Sequence, residues 1–286
     1  MRREGDWHVG LWLIIRVMSL SAERVLMKRL GHLADPWSIM GATYVFAAIF
    51  LWLAVLLQHQ PVVFLSAVLW PSLVYGTAFA LYTLALSQGE ISEVSPWTNL
   101  TTLLLFLWNP LALAQGWWWM GLFAVGAWLS GAQRVSENVA IIIGSDVFFA
   151  MGRLLDVHYQ LYPPLTYGAN LMTGVGMWMI LGLGLARWWP KTIQTVRTFP
   201  AGFGLEGFLN ALSYVSVVIL LRQMPAVIVE AISASAGLLA AFSGFFFHEP
   251  MGFRRVVGAS VMSFSAILLL LAHTPASAGM KWVGLP

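Results

Sequence analysis

Glu206, Asn210 and Tyr214 fall at every fourth position of an otherwise apolar run, PAGFGLEGFLNALSYVSVVILL. Residues four apart share one face of a helix, so the three form a polar stripe. The carboxyl can hold and release a proton, and the amide and phenol can hydrogen-bond a solute. Two readings are open: hydrogen bonds that glue helices together, or one wall of a cavity. A second stripe runs through ISEVSPWTNLTTLLLF, where Ser92, Ser95, Asn99 and Thr102 follow at steps of three, four and three. Trp97 and Pro96 lie beside it, and Pro96 has no N–H, which frees a backbone carbonyl within the helix. Tyr75 and Tyr82, seven apart with Ala78 between them, share a third face.

Charged residues add ion-pair or coupling chemistry. Arg16 and Glu23 are seven apart. Arg153 lies seven after Asp146 and three before Asp156, so pairing is allowed by spacing. The simpler readings are that Arg153 snorkels to the membrane surface and that Asp146 caps its helix. Glu230 opens another apolar run, where an acid is favourable at a helix N-terminus.

Catalytic chemistry finds little purchase. There are no cysteines, which excludes disulfides and thiolate metal sites. The six histidines are scattered, and no H-E-x-x-H spacing, G-x-S-x-G elbow or Walker loop occurs. One literal G-x-G-x-x-G, GFGLEG at Gly202–Gly207, opens an apolar run and follows no predicted strand, so close helix packing accounts for it. No catalytic residue, metal or cofactor is expected, and the chain is not expected to be an enzyme.

The elements that must position these residues are membrane helices. Of 286 residues, 59% are hydrophobic and only 9% are charged, against about 25% charged in soluble domains. A span needs about 20 mainly apolar residues. That rule predicts ten: Val9–Leu30, Pro36–Leu57, Val68–Ser87, Ile91–Leu111, Trp117–Gly131, Val139–Tyr159, Pro164–Trp188, Pro200–Leu221, Ala226–Phe247 and Phe253–His273. The connections are too short for an extramembrane domain. Tryptophans at Trp117–Trp119 and in ARWWPK read as interfacial anchors. The +3 net charge forms no basic stripe, so a nucleic-acid partner is not expected.

The chain also repeats. Shifted by 140 residues, Asn109 falls on Glu249 and Pro110 on Pro250, each pair between two apolar runs. Five spans per half is an odd number, so the halves, 1–137 and 138–286, have opposite orientation. The predicted fold class is all-α integral membrane, with ten transmembrane helices built as two inverted five-helix repeats, an architecture found in secondary transporters.

The stretch AISASAGLLAAFSGFFFHEPMGFRRVVGASVMSFSAILLLL, with Glu249 at its corner and Gly258 nine residues on, resembles the EamA-type transporters of the drug/metabolite transporter superfamily. In span number and length the resemblance covers nearly the whole chain. That family often has a Glu at the first-half corner, where this chain has Asn109. The resemblance implies a central cavity and the export or exchange of small metabolites across the bacterial cytoplasmic (inner) membrane, both termini being cytoplasmic. The charges point the other way. Arg2, Arg3, Arg222 and Lys281 lie on the side of the termini. Lys28, Arg29, Arg134, Arg187, Lys191, Arg197, Arg254 and Arg255 lie on the opposite side, which the positive-inside rule makes cytoplasmic.

The function expected is secondary transport of a small metabolite by alternating access. Glu206, Asn210, Tyr214, Tyr75, Tyr82, Ser95, Trp97, Asn99 and Glu230 are the candidate cavity residues. Arg16, Glu23, Asp146 and Arg153 are candidates for ion pairing or coupling, and Glu206 is the candidate proton carrier. The aromatic members suit an amphipathic, amino-acid-like or aromatic solute. Expected partners are membrane lipid and a small-molecule substrate, coupled to protons or a counter-substrate, the chain being a monomer or homodimer. The alternatives are an integral-membrane enzyme acting on a lipid-linked substrate and a membrane subunit without transport. Glu249 is expected to face the helix that follows it, near Arg254 or Arg255.

Overall fold

The structure, a computed structural model, describes residues 5–108, 110–129, 136–159, 161–249 and 253–273. Asn109, Arg134, Pro250, Lys281, Arg2 and Arg3, on which the repeat and charge readings drew, lie outside the described residues. All the regular structure among the described residues is helical. Helix α1 covers Gly5–Gly31, α2 Pro36–Leu57 and α3 Leu69–Gln88. The next segment is broken into α4 (Ile91–Val94), a 3-10 turn (Ser95–Asn99) and α5 (Leu100–Leu107). Then follow α6 (Pro110–Leu129), α7 (Glu137–His158), α8 (Pro164–Leu185), the short α9 (Trp189–Thr198), α10 (Pro200–Leu221), α11 (Ala226–Ser243) and α12 (Phe253–His273).

The helix starts follow local chemistry. Pro36, Pro164 and Pro200 occupy the first turns of α2, α8 and α10, where a missing N–H costs nothing. Asp35 caps α2 by accepting from Ser38 N at 3.0 Å, and Ser136 caps α7 by accepting from Val139 N at 3.2 Å. The break in the fourth segment sits at Pro96, whose ring and absent N–H interrupt the α ladder.

Among the described residues six helices are long and apolar enough to cross a bilayer: Pro36–Leu57, Ser66–Gln88, Glu137–His158, Pro164–Leu185, Pro200–Leu221 and Ala226–Phe247. The chain is thus an all-helical, multi-pass membrane type by length and composition. Helix α1 is not among them because Arg16, Glu23, Arg24 and Lys28 interrupt it. The predicted span Ile91–Leu111 is also not among them, being broken at Pro96, and α6 begins at Pro110 rather than Trp117. Helix α9 was unforeseen. It lies in a connection read only as an anchor, with Lys191 3.4 Å from Asp35 and 4.4 Å from the Trp188 ring centre.

The interior is mostly apolar yet holds buried charges, while large apolar side chains cover the outside. Arg16, Glu23, Arg24, Asp146, Arg153, Asp156, Glu206 and Glu230 are all buried, while Leu53, Trp70, Met177, Leu205 and Phe253 are exposed. Lipid as the surrounding solvent accounts for apolar side chains on the outside and charged ones turned inward. Helix α2 packs on α8, α3 on α7, α1 on α10, and α6 on α12; α11 packs on the 3-10 turn and α12. Small residues set the closest approaches. A Cβ at Gly207 of α10 would stand 2.9 Å from the Ala47 backbone N of α2, so the GFGLEG run serves helix packing.

Candidate functional site

A cavity of about 50 Å³ lies among α1, α3, the 3-10 turn, α5, α7, α10 and α11. By the volume one water needs, it holds a few waters. Its wall carries Arg16, Arg24 and Arg153 against Glu23, Asp146 and Glu230. These six are between 1% and 8% exposed, so their charges must be met by one another or by the cavity contents. Helical spacing aims them inward. Arg16, Leu20, Glu23 and Arg24 share one face of α1, and Asp146, Phe149 and Arg153 one face of α7. Asn210, Ser213 and Tyr214 line it from α10.

One end of the cavity is closed by a dense polar network. Arg153 Nε donates to Glu230 Oε1 at 2.5 Å, and Arg153 Nη1 to Asp156 Oδ2 at 3.0 Å and Tyr75 Oη at 2.7 Å. Asp156 also accepts from three phenols: Tyr75 at 2.5 Å, Tyr167 at 2.8 Å and Tyr214 at 2.8 Å. A buried carboxylate with this many donors is well satisfied. The Arg153 guanidinium also stands 5.5 Å from the Tyr75 ring centre and 5.9 Å from that of Tyr214. Gly152 makes room, since a Cβ there would lie 2.5 Å from the Tyr75 ring. Arg16 joins the network through Glu230 at 3.9 Å and donates to Ser233 Oγ at 3.1 Å, Ser213 O at 3.2 Å and Ser213 Oγ. Six helices, α1, α3, α7, α8, α10 and α11, are thereby tied together.

The remaining polar groups are more sparsely paired. Arg24 donates to Tyr82 Oη at 3.2 Å and Ser95 Oγ at 3.4 Å. Asn210 Nδ2 donates to Glu23 Oε1 at 3.2 Å. Asp146 Oδ1 accepts from Thr101 at 2.9 Å, but Oδ2 is buried with no partner among the described residues. Both carboxyl oxygens of Glu206 are in the same position.

Of the sequence candidates, Arg16, Glu23, Tyr82, Asp146, Arg153, Asn210, Tyr214 and Glu230 line the cavity. Tyr75 stands in the network behind it, Ser95 supports Arg24, and Asn99 donates to Ser263 Oγ at 3.1 Å. Trp97 packs edge-on against Phe123, ring centres 6.4 Å apart, outside the wall. Glu206 is fully buried but also outside the wall.

Several simpler readings give way. Asp146 is no cap, because Ser136 caps α7 and Asp146 lies two and a half turns in. Arg153 does not snorkel, being 4% exposed and ion-paired. Glu230 meets Arg153 across the helix interface rather than only its own N-terminus. Glu249 caps α4 from the other half of the chain, accepting from Ile91 N at 2.7 Å, Ser92 N at 2.8 Å and Ser92 Oγ at 2.6 Å; among the described residues these partners lie on α4, not α12. Arg255 pairs with Glu90.

Tyr167, Ser213 and Arg24 are not among the candidate residues that the sequence names. Arg24 was findable, for it lies eight residues after Arg16 and so on the same helical face. Tyr167 was not, because only the packing of α8 on its neighbours brings it to Asp156. Among the described residues no group of three or more His, Cys, Asp or Glu could hold a metal ion.

Comparison with solved structures places the fold. One crystal structure of a protein superimposes with a TM-score of 0.64 at 14% identity, over 92% of this chain and 98% of that one. At that identity the likeness is one of fold. No family model and no curated protein matches the sequence.

Proposed function

We propose that the chain is a secondary active transporter of the EamA type, within the drug/metabolite transporter superfamily, that exports or exchanges a small metabolite across the bacterial cytoplasmic membrane by alternating access. In this reading ten segments cross the bilayer: α1, α2, α3, the broken segment Ile91–Leu107, α6, α7, α8, α10, α11 and α12, with α9 at the surface.

The packing supports two inverted repeats. Helix α1 packs on α10 as α3 packs on α7, and α2 packs on α10 as α8 packs on α3. Helix α1 packs on α11 as α7 packs on the broken segment. The pairs α2 with α8 and α6 with α12 bring counterpart onto counterpart. A two-fold axis in the membrane plane relates such pairs.

The observation that carries the reading is the cavity where the halves meet, with six buried charged side chains around it. Irregular backbone at membrane depth is tolerated where it lines a cavity, and the 3-10 turn Ser95–Asn99 reaches the cavity through Thr98. The dense network around Asp156 is the closed gate on one side, and α1, α7, α10 and α11 move with it. Energy comes from a proton gradient or from a counter-substrate, with Glu206 as the proton carrier.

The test is flux of a metabolite panel in proteoliposomes containing the purified chain. Gradient-driven or counterflow uptake of at least one solute is expected. Absence of both, in vesicles that hold folded protein, leaves the enzyme or subunit alternatives and refutes the proposal. A reporter fused at Pro286 and active only in the periplasm would reverse the orientation carried over from the family.

A further inference from the structure

Two of the three guanidiniums in the cavity wall are neutralised. Arg153 has Glu230 and Asp156, and Arg16 shares Glu230. Arg24 differs. Among the described residues no carboxylate oxygen lies within 4.0 Å of it, although it is only 4% exposed. Its contacts are neutral: Nε to Tyr82 Oη at 3.2 Å and Nη1 to Ser95 Oγ at 3.4 Å. The seat is built. Ser95 Oγ is anchored on Gly237 O at 3.1 Å, and a Cβ at Gly237 would stand 3.0 Å from Arg24 Nη1. The guanidinium is therefore positioned by α3, the 3-10 turn and α11, with no protein partner for Nη2 among the described residues.

A buried cation with no carboxylate in contact is costly, and removal of that cost favours a ligand that supplies one. Asp146, on the same wall, has the complementary deficiency: Oδ1 is used by Thr101, and the buried Oδ2 accepts from no described residue. The fork of a guanidinium matches a planar carboxylate. A doubly charged phosphate suits the wall less well, since one unpaired arginine would face it together with Glu23 and Asp146.

We infer that Arg24, seated by Tyr82 and Ser95, is a carboxylate-binding subsite, and that Asp146 accepts a hydroxyl or ammonium donor of the same molecule. The ligand is a small carboxylate bearing a donor group. The inference deepens the transport reading, and rests on it only in making this ligand the transported solute.

The experiment is calorimetric titration of the purified full chain in detergent with four probes: lactate, alanine, alaninamide and inorganic phosphate. Lactate or alanine is expected to bind, and alaninamide, which lacks the carboxylate, is not. Arg24→Gln is expected to weaken binding about tenfold or more, the scale for losing a hydrogen bond to a charged group. Binding of alaninamide as tight as alanine, phosphate tighter than either carboxylate, no binding of either carboxylate, or undiminished affinity in Arg24→Gln would each overturn the inference. Should Arg24→Gln fail to fold, Tyr82→Phe with Ser95→Ala keeps the charge and removes its seat. A several-fold loss of carboxylate affinity is then expected, and unchanged affinity overturns the proposal. Binding through Arg24 without any flux would refute the transport reading while leaving the subsite intact.

Discussion

The cap that Glu249 places on α4 makes a sharp prediction, because Glu249 and its partners, Ile91 and Ser92, belong to opposite halves of the chain. Glu249→Ala removes an acceptor for Ile91 N, Ser92 N and Ser92 Oγ, at 2.7, 2.8 and 2.6 Å. At a net worth of about 1 kcal/mol per bond, the loss is about 3 kcal/mol if nothing replaces them. Because Glu249 is half-buried, water can reach part of what is exposed, so about 2 kcal/mol is expected, the upper range for a helix cap. For a chain of this size that is a fall in unfolding midpoint of about 5 °C. Ser92→Ala removes one of the three bonds and is expected to cost about 1 kcal/mol. The two losses must not add, since the hydroxyl has nothing to bond once the carboxylate is gone. A double-mutant cycle read by thermal unfolding in detergent is expected to give a coupling of about 1 kcal/mol. Additive losses, or a Glu249→Ala midpoint equal to that of the unaltered chain, would refute the cap.

Three further outcomes are expected. Asp156→Ala leaves Arg153 with Glu230 as its remaining anion and three phenols without their acceptor, and is expected to lower stability by about 3 kcal/mol, at about 1 kcal/mol for each phenol's bond; Tyr167→Phe, which removes one donor, is expected to cost about 1 kcal/mol in the same unfolding assay. Glu206→Gln is expected to abolish gradient-driven uptake into vesicles while the chain stays folded, and unchanged transport would remove Glu206 from the coupling mechanism.

Helix positions were legible because their signals are local. Pro36, Pro164 and Pro200 each start a helix where the sequence predicts one, and α12 spans the predicted Phe253–His273. The polar stripe of α10 was equally legible, since Asn210 and Tyr214 face the cavity at the spacing that marked them. Pairing was not legible. Glu249 and Ser92 lie 157 residues apart, and nothing near either one names the other. Arg153 reads as a snorkelling cation because it nears the end of its helix; only the docking of α11 against α7 brings Glu230 to it. Helix α9 was hidden by its own tryptophans. Trp188 and Trp189 match an interfacial anchor so well that the ten-residue helix around them goes unread.

Glu230 serves two masters at unequal distances, 2.5 Å from Arg153 on α7 and 3.9 Å from Arg16 on α1. The two cations belong to the first helix of each half. One oxygen of Glu230 faces each cation, Oε1 toward Arg153 and Oε2 toward Arg16. The carboxylate therefore works as a staple: α11 cannot draw away from either first helix without opening a contact between buried charges.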